Sequence, residues 1–84
     1  MIKMEQNKLD FDMMNKQIRT LYIVYAGRHK QQTTNLFKIP AGSEGKIRLC
    51  YTEHEYNIKY YLVIFYIDNT KYYCKISENM LEFI

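Results

Sequence analysis

The chain has 84 residues, the length of a single domain with a small core. Apolar residues make up 48% and charged residues 25%, a balance typical of globular proteins that argues against intrinsic disorder. The net charge of +3 permits nucleic acid or an acidic protein as partner but requires neither.

Ile, Lys, Tyr and Asn together supply 34 of the 84 residues, and AT-rich codons encode all four. This bias indicates a low-GC bacterium, or a phage or plasmid living in one. The opening "MIKMEQNKLD" has no apolar run of the signal-peptide type, and the apolar run over 60–67 is too short to span a bilayer. We therefore expect a cytoplasmic protein that makes no membrane contact.

The N-terminal segment permits either a helix or a strand over 4–17. Phe11, Met14 and Ile18 recur at helical spacing and the composition favours a helix, whereas the residues from Leu9 to Met13 alternate as in a strand. We treat 1–17 as a helical or extended appendage that packs on a domain formed by 18–84.

From Ile18 onward the sequence predicts strands. "IRTLYIVY" predicts one strand over 18–25, which Gly27 ends, and "GRHKQQTTN" predicts a long polar loop. "LFKI" is a short extended piece that Pro40 stops. "PAGSEG" then predicts a turn in which both glycines can adopt positive φ.

The second half predicts three longer strands with tight connections. "KIRLCYTE" alternates, which groups Ile47, Leu49 and Tyr51 on one face and Lys46, Arg48, Cys50 and Thr52 on the other. "HEYN" turns the chain into "YYLVIFYI", Asp68 and Asn69 suit a tight hairpin turn, and "KYYCKI" alternates again. The tail predicts a helical turn capped by Ser77 and a last strand. The pattern predicts a mainly β protein, a small five-stranded antiparallel barrel.

These residues resemble small bacterial SH3-like barrel domains. The family signature is Pro-x-Gly-[Ser/Thr]-x-Gly-x-[Ile/Val]. It is matched here by Pro40, Gly42, Ser43, Gly45 and Ile47. A Tyr-x-Val-x-Phe strand follows at Tyr61, Val63 and Phe65, then the hairpin at Asp68 and Asn69 and a last strand over 81–84. The resemblance covers 38–84. It implies an SH3-like barrel and, where such domains have a role, a protein-binding or nucleic-acid-binding module.

The strand over 60–67 is apolar on both faces, so its second face needs a cover. The resemblance places Val63 and Phe65 inside and Leu62, Ile64 and Tyr66 outside, where they would form an adhesive patch. Three covers are open: the N-terminal segment, a second copy of the chain, or a different protein. The N-terminal cover would use the four residues Leu9, Phe11, Met14 and Ile18.

Nothing in the sequence predicts catalysis. Glu53, His54 and Glu55 are adjacent, and neighbouring residues of a strand or turn point apart, so a metal site would also need His29 and Cys50. Nucleophile motifs are absent, and Lys46 of "GSEGK" opens a strand rather than the helix of a phosphate-binding loop. We expect no metal, no cofactor and no enzymatic activity. Cys50 and Cys74 are expected to be reduced, with one disulfide between neighbouring strands as the alternative.

Binding is the better-supported class of function, and tyrosines are the residues best suited to contact a partner. Tyr73, Tyr66 and Tyr22 are the tyrosines that we expect to be exposed. The predicted partner-binding residues are Arg28, His29, Lys30, Leu62, Ile64, Tyr66 and Tyr73. The alternative nucleic-acid-binding residues are Lys46, Arg48, Lys59, Lys71 and Lys75.

The sequence thus favours a non-catalytic protein-binding module. Its size and composition fit an accessory or inhibitor protein of a phage or mobile element that binds a host protein. In general type, though by no motif, it is similar to small anti-CRISPR and anti-defence proteins. A nucleic-acid-binding regulator is the alternative, and a homodimeric domain is the third hypothesis.

Overall fold

The computed structural model describes the backbone of residues 7–9 and 11–84 and the side chains of residues 12–84. The fold is mainly β, which confirms the predicted class. The strands are β1 (Asn7–Leu9), β2 (Gln17–Thr20), β3 (Val24–Ala26), β4 (Phe37–Ile39), β5 (Glu44–Glu53), β6 (Ile58–Ile67), β7 (Thr70–Ser77) and β8 (Leu81–Phe83). Two 3-10 turns, Phe11–Met13 and Glu78–Met80, complete the described secondary structure.

The strands form one antiparallel sheet and one hairpin. The main sheet has the order β7-β6-β5-β2-β8, and β1 also pairs with β5, while β3 and β4 pair only with each other as a two-stranded sheet. The main path ends at β7 and β8, so the hydrogen bonds of the described strands leave the sheet open rather than closed into a barrel. In residues 7–9 and 11–84, no helix has the length and apolar character needed to cross a membrane.

The described part of the N-terminal segment is not the α-helix favoured for 4–17. It contains strand β1, whose Asn7 and Leu9 pair with Glu53 and Tyr51, followed by the 3-10 turn. Pairing with β5 satisfies backbone donors and acceptors, and this tertiary term outweighs local helix propensity. Residues 1–6 and 10 lie outside the described residues, as do the side chains of Leu9 and Phe11 that were predicted to cover the sheet.

A β-bulge at Arg48 interrupts the alternation of β5. Ile47 pairs with Val63 and Leu49 with Leu62, which leaves Arg48 as an extra residue. Because a bulge inserts one residue, it exchanges the two faces of the strand beyond it. Ile47 and Cys50 therefore both enter the core, at 1% exposure each. The predicted grouping of Ile47 with Leu49 and Tyr51 is wrong for this reason.

The predicted strand over 18–25 is divided. Strand β2 ends at Thr20, whose buried hydroxyl donates to the Pro40 carbonyl at 3.3 Å and accepts from the Ser43 N–H at 3.2 Å. Strand β3 begins only at Val24, and the intervening residues 21–23 are exposed. The polar stretch from Gly27 is a loop, as predicted.

Two predicted turns are present, but one glycine of the 40–45 turn and the predicted capping residue Ser77 do not act as predicted. Asp68 and Asn69 have φ of 53° and 64°, which confirms the tight hairpin turn. In "PAGSEG" only Gly42 has positive φ, at 87°. Ser77 occupies the predicted N-cap position, but its hydroxyl donates to the Asn79 side chain at 2.7 Å instead of capping a backbone N–H.

Gly45 is required for close packing and not for a turn. A Cβ at this position would lie 2.7 Å from Val63 Cγ1 and 2.9 Å from the Ile64 carbonyl oxygen. Both distances are shorter than real Cβ contacts, so only glycine lets β5 approach β6 this closely.

The core lies on one side of the main sheet and under the β3–β4 hairpin. Val63 and Phe65 are fully buried, which confirms the predicted inner face of β6. The cluster consists of Ile18, Val24, Ala26, Ile39, Ile47, Cys50, Tyr61, Val63, Phe65, Cys74, Ile76 and Leu81. Cys50 and Cys74 are both buried and are not joined by a disulfide, so the alternative of a disulfide between neighbouring strands does not hold.

We expect the two faces of β6 to differ sharply in energetic weight. Phe65→Ala removes a fully buried ring and should lower the free energy of unfolding by ~3–5 kcal/mol. Tyr66→Ala, one residue along at 63% exposure, should change it by no more than ~0.5 kcal/mol. Urea denaturation of both variants checks this. Equal losses would mean that the assignment of faces is wrong.

Gly45→Ala should lower the free energy of unfolding by ~1–3 kcal/mol, because the added methyl group is forced against Val63 and the β6 backbone. Lys46→Ala, at the next and exposed position, is the matched control and should stay within ~0.5 kcal/mol of the parent chain. Thermal and urea denaturation measure both. A Gly45→Ala protein as stable as the parent would refute the close approach.

Candidate protein-binding surface

The second face of β5, β6 and β7 carries most of the predicted partner-binding side chains. Cross-strand partners share a face, so the register defines its rows. One row is Lys46–Ile64–Tyr73, and the next is Leu49–Leu62–Lys75. We call this surface the outer face; its members are Lys46, Leu49, Tyr51, Tyr60, Leu62, Ile64, Tyr66, Lys71, Tyr73 and Lys75.

Ile64 is the apolar centre of the outer face. It is only 7% exposed, yet it does not belong to the core cluster. Its direct cross-strand neighbours are Lys46 and Tyr73, whose long side chains flank it and reduce its exposure. Leu62 is half-buried in the next row and Tyr66 is exposed. The predicted outward trio is therefore graded from covered to open.

One of the N-terminal residues predicted to cover this centre lies elsewhere. Ile18, which was predicted to cover it, is fully buried within the core cluster on the opposite side of the sheet, and Met13 packs against the same cluster. Met14 is half-buried. The strand β1 lies beside β5 rather than over it.

One end of the outer face is ordered by a cation–π cluster. The Lys75 ammonium lies 4.6 Å from the ring centre of Tyr60 and 5.4 Å from that of Tyr51. The two rings are 5.8 Å apart. A hydrogen bond with the Tyr51 side chain raises the pKa of Lys75, so the ammonium stays charged. Each such contact contributes about 0.5–1 kcal/mol at an exposed site.

The polar loop reaches the β7 edge of the outer face. Gly27 and Tyr73 exchange two backbone hydrogen bonds, 2.9 Å from the Gly27 N–H and 2.7 Å from the Tyr73 N–H. This bridge fixes the start of the loop against β7. A shallow cleft results, and it is lined by Arg28, His29, Lys30, Gln31 and Tyr73. The bridge thereby brings Tyr73 together with the loop residues Arg28, His29 and Lys30, all four of which were predicted for partner binding.

The side chain of Gln32 organises this loop. Its Oε1 accepts from the Arg28 N–H at 2.8 Å, and its Nε2 donates to the Thr34 and Asn35 carbonyls at 2.8 and 3.1 Å. Gln32 also packs against Gly27, where a Cβ would lie 2.7 Å from the Gln32 Cβ. No sequence signal distinguishes Gln32 for this role, because the loop is polar throughout.

The five basic residues of the nucleic-acid alternative do not share one face. Lys46, Lys71 and Lys75 lie on the outer face. Lys59 pairs with Thr52 and lies two positions before Tyr61, on the core side of β6. Arg48 is the exposed residue of the bulge.

The tyrosines are more exposed than the sequence indicated. Tyr22 and Tyr66 are exposed as predicted, Tyr73 is half-buried, and Tyr25 and Tyr56 are also exposed. A further set of exposed apolar side chains lies on the β3–β4 hairpin and on the residues just before each of its strands. The sequence predicted extended segments here rather than an exposed surface. The set consists of Leu21, Tyr22, Ile23, Tyr25, Leu36 and Phe37. The sequence feature that indicates this set is the unbroken apolar run over 21–26, which resembles the apolar run of β6.

The potential metal ligands are dispersed. Within residues 7–9 and 11–84, no group of three or more His, Cys, Asp or Glu side chains is placed to hold a metal ion. His54 lies in the turn between β5 and β6, Cys50 lies in the core, and His29 lines the cleft.

Comparison of the chain with family models, curated proteins and solved structures finds no match.

Burial raises the pKa of the Cys74 thiol to about 11. Its Sγ donates to the Tyr25 carbonyl at 3.3 Å, which links β7 to the hairpin. At pH 8 the thiolate fraction of native Cys74 should therefore be roughly 100-fold lower than that of an unfolded cysteine. We expect correspondingly slow alkylation by iodoacetamide, with a rate that rises about tenfold per pH unit up to pH 10.

Peptide mapping by mass spectrometry separates Cys74 from Cys50 in this experiment, and the urea-unfolded chain supplies the reference rate. Alkylation of native Cys74 at the unfolded rate at pH 8 would contradict its burial.

Proposed function

We propose that this chain is a non-catalytic protein-binding domain whose outer face, extended by the loop over 28–31, receives the partner. One observation carries the proposal. The strand register gathers Ile64 and Leu62 between exposed or half-buried tyrosines. It places Lys46, Lys71 and Lys75 in the same or neighbouring rows, with Glu44 beside Ile64 and Tyr66 at one margin. An apolar centre with an aromatic and polar rim is the usual anatomy of a protein interface.

The charge of the rim specifies the partner. Lys46 and Lys71 border the outer face within the sheet, and Arg28 and Lys30 border it from the loop. Since complementary charges govern orientation and association rate, the matching surface carries Asp or Glu around an apolar centre. We therefore infer an acidic protein as the occupant of the outer face.

Nucleic acid is the second candidate, favoured by the presence of Lys46, Lys71 and Tyr73 on one face. A stacking surface needs free aromatic rings. The rings of Tyr51 and Tyr60 already hold the Lys75 ammonium, and Lys59 lies on the other side of the sheet. These observations favour the protein partner.

The biological setting is part of the same proposal. The elements from β5 to β8 follow the order that the resemblance to SH3-like barrel domains predicts: strand, loop, strand, tight hairpin, strand, helical turn, strand. This order supports an SH3-like domain.

The AT-rich composition supports an accessory or inhibitor protein of a phage or mobile element, of the anti-CRISPR or anti-defence type. Such a protein would bind its partner in the cytoplasm of the bacterial host.

A photo-crosslinking amino acid at Tyr66 tests the proposal, with the same substitution at Tyr56, in the turn between β5 and β6, as a control of similar exposure outside the outer face. In a low-GC bacterial host we expect an adduct with one protein from position 66 and none from position 56. With the purified adduct protein, Tyr66→Ala should weaken binding about tenfold or more and Tyr56→Ala less than twofold.

An adduct with nucleic acid, accompanied by binding that falls steeply with salt, would favour the second candidate. An adduct between two copies of the chain would assign the outer face to a homodimer. Equal adducts from both positions would refute a specific surface.

A further inference from the structure

We propose that the cleft between the loop and β7 is a subsite for a carboxylate side chain of the partner, an inference that rests on the proposed function. The cleft is lined by Arg28, His29, Lys30, Gln31 and Tyr73. It adds to the outer face a specific position at which an Asp or Glu of the bound protein is received.

Among the described residues, the lining of the cleft contains hydrogen-bond donors and no carboxylate. Arg28 and Lys30 are basic side chains, and the Arg28 guanidinium presents the fork of N–H groups that matches a carboxylate. Within the described residues, neither side chain makes a salt bridge. Arg19 shows the contrast, because it already pairs with Glu44 at 3.5 Å and Glu82 at 3.3 Å. The cations of the cleft are therefore available to a ligand.

The loop is held in place before a ligand arrives. The two backbone hydrogen bonds between Gly27 and Tyr73 fix one end, and the three hydrogen bonds of the Gln32 side chain fix the interior. Ordering such a polar loop upon binding would cost conformational entropy, and here the fold has already met that cost. Gln32 is accordingly a positioning residue for Arg28.

The cleft adjoins the apolar centre. Tyr73, which lines the cleft, is the direct cross-strand neighbour of Ile64. Such neighbours lie about 5 Å apart. A single segment of an acidic protein can therefore place a carboxylate against Arg28 and an apolar side chain near Ile64. This arrangement defines the orientation in which the partner binds.

A hexaglutamate peptide is the probe, titrated into the ¹⁵N-labelled full chain at low salt and followed by NMR. The amides of residues 28–31 and of Tyr73 should shift most. The double variant Arg28→Ala/Lys30→Ala should bind about tenfold more weakly. Lys16→Ala/Lys38→Ala removes the same charge from exposed positions outside the cleft and should stay within about twofold.

Gln32→Ala separates a positioned site from a merely basic surface. It leaves every charge in place and releases the loop, so we expect roughly three- to fivefold weaker binding with a well-dispersed spectrum of the folded chain. Unchanged affinity in this variant would overturn the role of Gln32 and of the preformed loop.

Three further outcomes would overturn the carboxylate subsite. The first is equal weakening by the two double variants. The second is tighter binding of inorganic phosphate at the same amides, and the third is tighter binding of an oligothymidylate. If the subsite fails while the Tyr66 adduct with a protein persists, the outer face still binds a protein. If the adduct fails while hexaglutamate binds in the cleft, the proposed function fails instead.

Discussion

The extra residue in β5 determines which side chains this protein presents to solvent. Before the bulge at Arg48 the inward residue is Ile47, and after it the inward residue is Cys50. A strand without the extra residue would turn Leu49 and Tyr51 into the core, and the Tyr51 ring could not meet the Lys75 ammonium. Gly45 complements the bulge, because its missing side chain lets β5 approach β6 closely.

A second constraint joins the loop to the sheet. The Gly27–Tyr73 bridge is made across 46 positions of sequence, and it places the first loop residues beside the edge of β7. Gln32 then holds the loop from within. The Gly27–Tyr73 hydrogen bonds therefore both pair the edge of β7 and assemble the cleft. Fold stability and site geometry are thus coupled at this strand.

Two pairs of cationic side chains have different consequences. Lys75 and Arg19 are engaged by the protein itself, through aromatic rings and through two glutamates. Arg28 and Lys30 line the cleft, where none of the described lining residues is acidic. Partly satisfied surface charges contribute little to folding, but a preformed and unneutralised cluster contributes orientation and association rate to binding. This division favours an acidic protein surface as the partner of the outer face.

The sequence by itself determined the mainly β class and the Asp68–Asn69 turn. These features follow from alternation and from local backbone preference, which can be recognised over a few neighbouring residues. The inner face of β6 was predicted from the resemblance to SH3-like domains, because this strand is apolar on both faces and alternation does not distinguish them. The basic members of the candidate site, together with Tyr66 and Tyr73, were also predicted from the sequence. The places of Tyr51 and Tyr60 on the outer face, and the convergence of the whole set, were not. The tertiary structure decided the bulge, the strand β1 and the docking of the loop, because each depends on hydrogen bonds to backbone that is distant in sequence and that carries no local signal.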